Sequence, residues 1–472
     1  MPVKLTTQDV CIATGGTLVC GRADAVFTSV TIDSRAIAPG ALFVPLPGTK
    51  VDGHAYLSEA VRQGASGFLF ARELAATLPD SAVAIAVRDP LTALQDLAAW
   101  QRNQLHARVI GVAGSNGKTT TKEILAQVCT VAHRTLATQG NLNNHIGVPL
   151  TLLRADDDVV VMVLELGTSG PGELTTLCRI ARPHIGVITT IAEEHTEMLK
   201  DLTGVIEAET ELIASLPADG VAVVNGDDDA LLVAAQRLAC CRIVTFGERA
   251  TNQYRARDVQ VSRQGTRFTL DTPAGIRSVQ LRLLGNHFAL AALTAATVAL
   301  ECGLRLDETC AALRVAHGAP RRMAVIEVPA QQITILDDCY NANPASMRQA
   351  LLTARQVRAA GERLILVLGD MLELGALSQS RHAEIGEEVA ILTPRPDLVI
   401  TVGEDARLIA ARVAGMGIPV HVFDDAETAA TFARETLLGY AGPQLVLIKG
   451  SRGVHLEEVT RRLTETEVQE KL

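Results

Sequence analysis

Ala107-Arg-Val-Ile-Gly-Val-Ala113 reads as a strand, Gly114-Ser-Asn-Gly-Lys-Thr-Thr120 as a glycine loop, and Thr121-Lys-Glu-Ile-Leu-Ala126 as the start of a helix. A strand that turns through such a loop into a helix commits the region to an α/β fold. The helix has to cross over before the next strand can pair in parallel. The glycines let the backbone curl so that N–H groups face phosphate oxygens, Lys118 brings a cation to the β/γ-phosphates, and Thr119 offers a hydroxyl to magnesium. The expected ligand is a nucleoside triphosphate with Mg²⁺, held by Gly114, Ser115, Asn116, Gly117, Lys118, Thr119 and Thr120. Val112 stands where the usual first glycine would be, so the loop is a shorter G-x-x-G-K-T form. A chance Gly-Lys-Thr in a glycine-rich turn is the bland alternative, and it fits poorly between a strand and a helix.

A chain of 472 residues exceeds one ordinary core and suggests three domains. Residues 1–102 carry short strand-like pieces at 41–44, 67–70 and 83–87, the pattern of a small α/β unit. In residues 103–316, strands at 109–113, 159–164 and 185–189 alternate with helices, as in a mostly parallel sheet covered on both faces. Alternation from Tyr254 to Leu284 around Asp271-Thr-Pro-Ala-Gly275 predicts an antiparallel hairpin at one edge. Residues 317–472 repeat the strand-then-helix rhythm at 364–368, 398–402, 420–423 and 445–448, a Rossmann-like third domain.

Although 48% of the residues are hydrophobic, the longest apolar runs fall far short of the ~20 residues that span a bilayer. No membrane insertion is expected. The first residues lack the basic head and apolar core of an export signal, which predicts a cytoplasmic protein. Nine cysteines without a C-x-x-C pair read as reduced thiols rather than a zinc site. A net charge of −10 with 3% aromatics leaves neither a basic footprint nor stacking platforms, so nucleic acid is excluded and small molecules are the expected ligands.

Several acids stand where chemistry would need them. The buried-strand pattern Val159-Val-Val-Met-Val-Leu-Glu165 ends in a carboxylate before Gly167, the place where a nucleotide-binding sheet puts a magnesium ligand. His195, after another strand, is a candidate for a second cation, against the ordinary reading of a structural histidine. From Leu202 to Leu216, Leu202, Val205, Ile206, Leu212, Ile213 and Leu216 fall on one helical face. Glu209 lies within that stripe, while Glu207 and Glu211 project to the opposite, solvated side. A carboxylate on a core face is costly unless paired or metal-bound, which marks Glu209 as functional, with a neutral or arginine-paired acid as the alternative. Further on, Leu336-Asp-Asp-Cys-Tyr-Asn-Ala-Asn-Pro344, preceded by Arg321 and Arg322, suits ribose hydroxyls and water. Leu368-Gly-Asp-Met-Leu-Glu-Leu-Gly375 and Ile448-Lys-Gly-Ser-Arg452 leave strands at the carboxyl ends where open sheets bind ligands.

In this order the segments resemble the Mur ligases, and within them the branch that adds a dipeptide. The resemblance spans nearly the whole chain. It runs through Ile32-Asp-Ser-Arg35, Pro39-Gly-Ala-Leu-Phe-Val44 and Asp52-Gly-His54 to the phosphate loop, then Gly140-Asn-Leu-Asn-Asn144, Ile146-Gly-Val-Pro149 and Glu165-Leu-Gly167. Asp338-Cys-Tyr-Asn-Ala-Asn-Pro344, the 368–375 segment with His382, and Lys449-Gly-Ser-Arg452 complete it. It implies a uridine-nucleotide domain, a P-loop ATPase domain and a Rossmann-like ligase domain. It also implies ATP-dependent joining of D-alanyl-D-alanine to UDP-N-acetylmuramoyl-tripeptide through an acyl phosphate in peptidoglycan-precursor synthesis, by a monomer. On this resemblance Lys118, Glu165, His195 and Glu209 serve the chemistry, with Thr119, Glu165, His195 and Glu209 sharing two magnesium sites. Arg322, Asp338 and Asn341 join the loop in holding ATP, and Ser34, Arg35, Asn143, Asn144, Tyr340, Asn343, Lys449, Ser451 and Arg452 face the substrates.

Three stretches depart from the family pattern. Glu209 stands where these ligases carry a carbamylated lysine and supplies a carboxylate without modification. A His-Asn-x-x-Asn stretch reads His287-Phe-Ala-Leu-Ala291, losing both asparagines, and Thr189-Thr-Ile191 replaces Thr-Asn-Ile. A divergent paralogue using the same chemistry on another acid and amine, or a nucleotide-binding regulator without turnover, are the competing readings.

Overall fold

The computed structural model describes residues 4–48, 51–73, 78–79, 81–193 and 196–465. Three principal sheets succeed one another along the chain. The first orders its strands Thr17–Cys20, Val83–Val87, Gly67–Ala71, Ala41–Phe43 and Ser29–Thr31, all parallel except Thr17–Cys20. Its helix Pro90–Gln104 starts on the Asp89 side chain, which accepts from Thr92 N at 2.7 Å, with Pro90 in the first turn where no N–H is needed. Leu94 and Leu97 of this helix share one core with Val148, Leu152, Leu174 and Leu177 of the next domain. Buried Arg102 ties the same helix to the carbonyls of Ala181 (2.9 Å) and Leu105 (3.0 Å).

The central sheet holds nine described strands in the order Gly275–Leu281, Gly265–Thr272, Tyr254–Ser262, Arg242–Gly247, Val221–Asn225, Ile185–Ile188, Arg108–Ala113, Val161–Glu165 and Thr135–Ala137. Strands are parallel from Thr135–Ala137 to Tyr254–Ser262. Val161–Glu165 is buried along its whole length, so both sheet faces must be covered by helices. The expected edge hairpin is a three-stranded antiparallel meander. A second tight turn at Arg263-Gln264 joins Tyr254–Ser262 to Gly265–Thr272, and Gly275–Leu281 follows.

The third sheet runs Ala324–Val328, Ile333–Asp337, Gln444–Lys449, Arg363–Gly369, Leu398–Val402 and Val420–Phe423, parallel but for the first strand. Ala324–Val328, which the sequence reading did not name, is an edge strand that a short loop at 329–332 turns back antiparallel onto Ile333–Asp337. The alanine-rich helix Asn286–Glu301 packs in one core with Ile124, Leu125 and Val128 of the phosphate-loop helix, and that core continues into Leu336, Met347 and Leu351 of the third domain. The central and third domains therefore meet along apolar contacts flanking the carboxyl ends of their strands. No described helix is long and apolar enough to cross a membrane.

Candidate active site

The phosphate loop joins Arg108–Ala113 to the helix Lys118–Cys129. Gly114 adopts φ +116°, and a Cβ there would lie 2.4 Å from Thr189 Oγ1, so only glycine fits both the backbone and the space. The segment after Ile185–Ile188 clasps the loop. Ser115 N donates to Thr190 O (2.7 Å), Asn116 N to Thr190 Oγ1 (3.3 Å), and Thr189 Oγ1 to Asn116 O (2.6 Å). Thr190, where the family has asparagine, thus supplies both a carbonyl and a hydroxyl to the loop. Ser115 Oγ donates to Ala192 O and accepts from Ala192 N, at 3.0 and 2.9 Å. Lys118 Nζ curls back to Gly114 O at 2.5 Å. With the preceding amides so committed, phosphate is left to the N–H groups at the start of the helix, where the helix dipole also favours an anion.

Glu165 is fixed at the end of its strand. Its amide donates to Thr138 Oγ1 (3.0 Å), and Thr138 O accepts from the fully buried Lys122 ammonium (2.8 Å). Its Oε1 accepts from Asn143 Nδ2 at 2.9 Å, whereas Oε2 is buried with no hydrogen-bond partner. An orphaned carboxylate oxygen in a cleft that Thr119 also lines suits a hard divalent cation, so Thr119 and Glu165 fit one magnesium.

The opposite wall belongs to the third domain. Arg322 sits between Arg321 and Met323, both in left-handed backbone (φ 59° and 53°), a strained turn that is held by Tyr340 N donating to Arg321 O and Met323 N donating to Asp338 Oδ1, each at 3.1 Å. From that turn Arg322 stacks over the Tyr340 ring at 4.2 Å and donates Nη2 to Thr119 Oγ1 at 3.1 Å across the domain junction. Asn343 Nδ2 makes a second crossing, to Asn116 Oδ1 at 2.9 Å. Arg381 makes a third, a two-pronged pair with Glu193 at 2.8 Å on each arm. Between the walls lies a cleft of about 580 Å³, of the size that encloses a nucleotide.

The structure brings Ser115, Asn116, Gly117, Lys118, Thr119, Thr120, Asn143, Glu165, Arg322, Asp338, Tyr340, Asn341, Asn343 and Lys449 together around this cleft. Several expected ligand contacts are instead internal. Lys449 is buried and donates to Asp338 Oδ2 (2.7 Å) and Asn341 O (3.0 Å), shaping the wall from behind. Ser451 is buried too, its hydroxyl accepting from Leu372 N at 2.9 Å and so joining the 368–375 segment to its neighbour, while buried His382 accepts from Met371 N at 2.9 Å. Asn144 caps the short helix Gly147–Leu152 through Gly147 N (2.9 Å). Arg452 lies 5.7 Å from the Tyr340 ring. Ser34 and Arg35 are in the first domain and do not line the cleft. Arg35 forks onto Asp33 at 2.9 Å and holds that carboxyl down at about 2. His195 lies outside the described residues.

The Glu209 expectation divides. The helix Leu202–Ala214 does bury it, at 1% exposure, and burial pushes its carboxyl up against the opposing pull of Lys118 and the Gly114 amide. Its Oε2 accepts from Gly114 N at 2.6 Å behind the loop, and it does not line the cleft. That carboxylate oxygen is committed to the phosphate loop, and His195, its expected partner on a second cation, lies outside the described residues. Among the described residues, no group of three His, Cys, Asp or Glu side chains could hold a metal ion. Two neighbours on the same helix also correct the stripe. Leu202, in the first turn, is 44% exposed. Glu211 is half-buried and accepts from Gly172 N (2.6 Å) and Thr175 N (2.9 Å), capping the helix Glu173–Ala181.

His287 also lines the cleft, stacked on Phe288 at 4.4 Å, with Nδ1 buried and without a partner. Burial pushes its imidazole down to about 4, keeping it neutral at physiological pH. Sequence reasoning noted it only as the first residue of an altered motif. Glu248, Asn286, Arg348 and Gln349 join the lining with no local signal to announce them.

Known proteins share this arrangement. A family model described as Mur ligase middle domain matches residues 112–299, one described as Mur ligase, glutamate ligase domain, matches 321–452, and one described as Mur ligase family, catalytic domain, matches 26–102. The UDP-N-acetylmuramoyl-tripeptide–D-alanyl-D-alanine ligase of Escherichia coli (strain K12) is 36% identical over 94% of this chain and 95% of its own length. Among solved structures, MurF from Acinetobacter baumannii superposes with a TM-score of 0.88 at 29% identity, covering 98% of this chain and 100% of that one. MurF ligase from Thermotoga maritima, in complex with ADP, gives 0.80 at 26% identity over 92% and 97%. On these matches, which cover 95% or more of each of these relatives, the chain belongs to the Mur ligase family.

Proposed function

We propose that this chain is an ATP-dependent ligase that joins D-alanyl-D-alanine to UDP-N-acetylmuramoyl-tripeptide, releasing ADP and phosphate, and that it works as a monomer in the cytoplasm. The observation that carries the reading is the cleft itself, with a phosphate loop on one wall and the Arg322–Asp338–Tyr340 group on the other, joined by the bond from Arg322 to Thr119. The name of the Escherichia coli relative supplies the acid and the amine.

A carboxylate is a poor electrophile because resonance and charge shield its carbon. In the proposed reaction a carboxylate oxygen of the tripeptide attacks the γ-phosphorus of ATP, the bond to the β-phosphate oxygen breaks, and ADP leaves. The amine of D-alanyl-D-alanine then attacks the acyl carbon, and the carbon–oxygen bond to phosphate breaks as the amide forms. Lys118 and the helix-start amides hold the phosphates, and Arg322 reaches the same region from the far wall. Magnesium on Thr119 and Glu165 would neutralise phosphate charge. His195 is proposed for a second cation. Closure of the third domain excludes water that would otherwise hydrolyse the acyl phosphate. Ser34 and Arg35 are assigned to the uridine end of the substrate, with Asn143, Tyr340 and Asn343 nearer the reacting end.

The test is ADP release with magnesium and ATP, omitting each substrate in turn, with mass detection of the joined product. Dependence on both substrates together with the pentapeptide mass is the expected result. Nucleotide binding without product would instead favour a paralogue or a regulator.

A further inference from the structure

The nearest approach of helix Leu202–Ala214 to the central sheet is set by two glycines. Gly111 and Gly186 lie side by side in register on adjacent strands. A Cβ on Gly111 would come within 3.2 Å of Leu212 Cδ1, and one on Gly186 within 3.1 Å of Leu212 Cγ and 3.0 Å of Leu216 Cδ1. Bare backbone at both positions lets Leu212 and Leu216 settle onto the strands. The helix is thereby drawn in until Glu209, about one turn before Leu212, reaches the first amide of the phosphate loop.

The Gly114 peptide is then held from two sides, its neighbouring groups being claimed by Glu209 Oε2 at the N–H (2.6 Å) and by Lys118 Nζ at the carbonyl (2.5 Å). Glu209 is the one acid hydrogen-bonded to a loop amide among the described contacts, and charge-assisted bonds of this kind are the strong ones. Glu209 itself is not among the residues that line the cleft.

We infer that Glu209 is a positioning residue for the phosphate loop, anchoring the Gly114 amide so that the helix-start amides present themselves to a triphosphate, and that it is not a ligand of a second cation. The inference rests on the loop being the nucleotide site and not on which acid and amine are joined.

Binding of a fluorescent N-methylanthraniloyl ADP separates the two roles, because it can be measured without magnesium. In EDTA, Glu209→Ala is expected to weaken binding roughly tenfold, the loss of one charge-assisted hydrogen bond. Glu209→Gln keeps a carbonyl acceptor for Gly114 but loses the charge assistance, so it is expected to bind within about threefold of the wild type. With the wild-type protein and Glu209→Gln, the magnesium concentration at half-maximal ADP release should coincide. Unchanged metal-free binding in Glu209→Ala would overturn the inference, as would a roughly tenfold loss of binding in Glu209→Gln. So would a rise of roughly tenfold in the magnesium midpoint of Glu209→Gln. If Glu209→Ala does not fold, the two Glu209→Gln measurements decide alone. Since nucleotide binding is read without the acid or the amine, failure of the ligase assignment would leave this result standing.

Discussion

The two walls of the cleft are built on different principles. On the central-domain side, the loop is fixed by its own strand and helix, by the Thr189–Ala192 clasp and by Glu209, contacts that lie within one sheet and its covering helix. On the third-domain side, Arg322 and Tyr340 are held by Asp338 and the buried Lys449, and Arg322 also reaches Thr119 of the other wall. Polar links between the two domains include Arg322 to Thr119, Asn343 to Asn116, Arg381 to Glu193 and Arg263 to Glu362. A preformed wall binds phosphate. A separately braced wall can close on what is bound, and it completes the site only when it does.

The sharpest way to break this comparison is to disable the fixed wall. Lys118→Met removes the cation proposed to hold the phosphates, and turnover should fall about 10³-fold, or ~4 kcal/mol, with folding intact by circular dichroism. An effect under tenfold would mean that the loop is not where phosphate is handled.

The other wall is tested by Lys449→Met, which leaves the Asp338 carboxylate without its buried partner. Loss of about 3 kcal/mol of stability is expected in urea unfolding, while metal-free nucleotide binding to the loop changes little. Equal damage to both properties would show that the walls are not independent.

A third prediction concerns His287, which stands on the fixed wall and faces Asp338, Lys449 and Arg322 of the other. Its folded pKa of about 4 lies below the ordinary 6.5, so the protein binds more protons when unfolded between those values. Its stabilising contribution is complete above pH 6.5 and is lost as pH falls towards 4, by up to about 3 kcal/mol. Melting temperature against pH for His287→Gln should be flatter than wild type across that window. Parallel curves would contradict the assignment.

The smallest effect belongs to Arg381→Ala. A partly exposed ion pair is worth about 1 kcal/mol, so the KM for ATP should rise roughly fivefold with kcat and melting temperature nearly unchanged. A fall in melting temperature without a change in KM would make the pair a structural tie rather than a link between walls.

What could be read in the sequence follows the same division. The phosphate loop, Glu165 and the strand rhythm are local patterns, set by residues within about ten positions of one another. Helical periodicity identified Glu209 as a buried acid yet was silent on its partner, because Gly114 is 95 residues away in the chain. The same periodicity misplaced Glu211, since it records which side of a helix a residue occupies and not that the start of Glu173–Ala181 stands there needing an acceptor. Lys449 and Ser451 were recognised as belonging to the site, but their inward roles depend on loops more than 75 positions away. The bond between Arg381 and Glu193 spans 188 residues and leaves no trace in either neighbourhood.

The chemistry at the centre of this account is activation of a carboxylate by phosphoryl transfer, and oxygen labelling reads it directly. With both carboxylate oxygens of the tripeptide's terminal residue enriched in ¹⁸O, turnover with ATP and D-alanyl-D-alanine should place one label in the released phosphate and leave one in the new amide. Unlabelled phosphate alongside labelled product would contradict an acyl-phosphate route and, with it, the function assigned to the cleft.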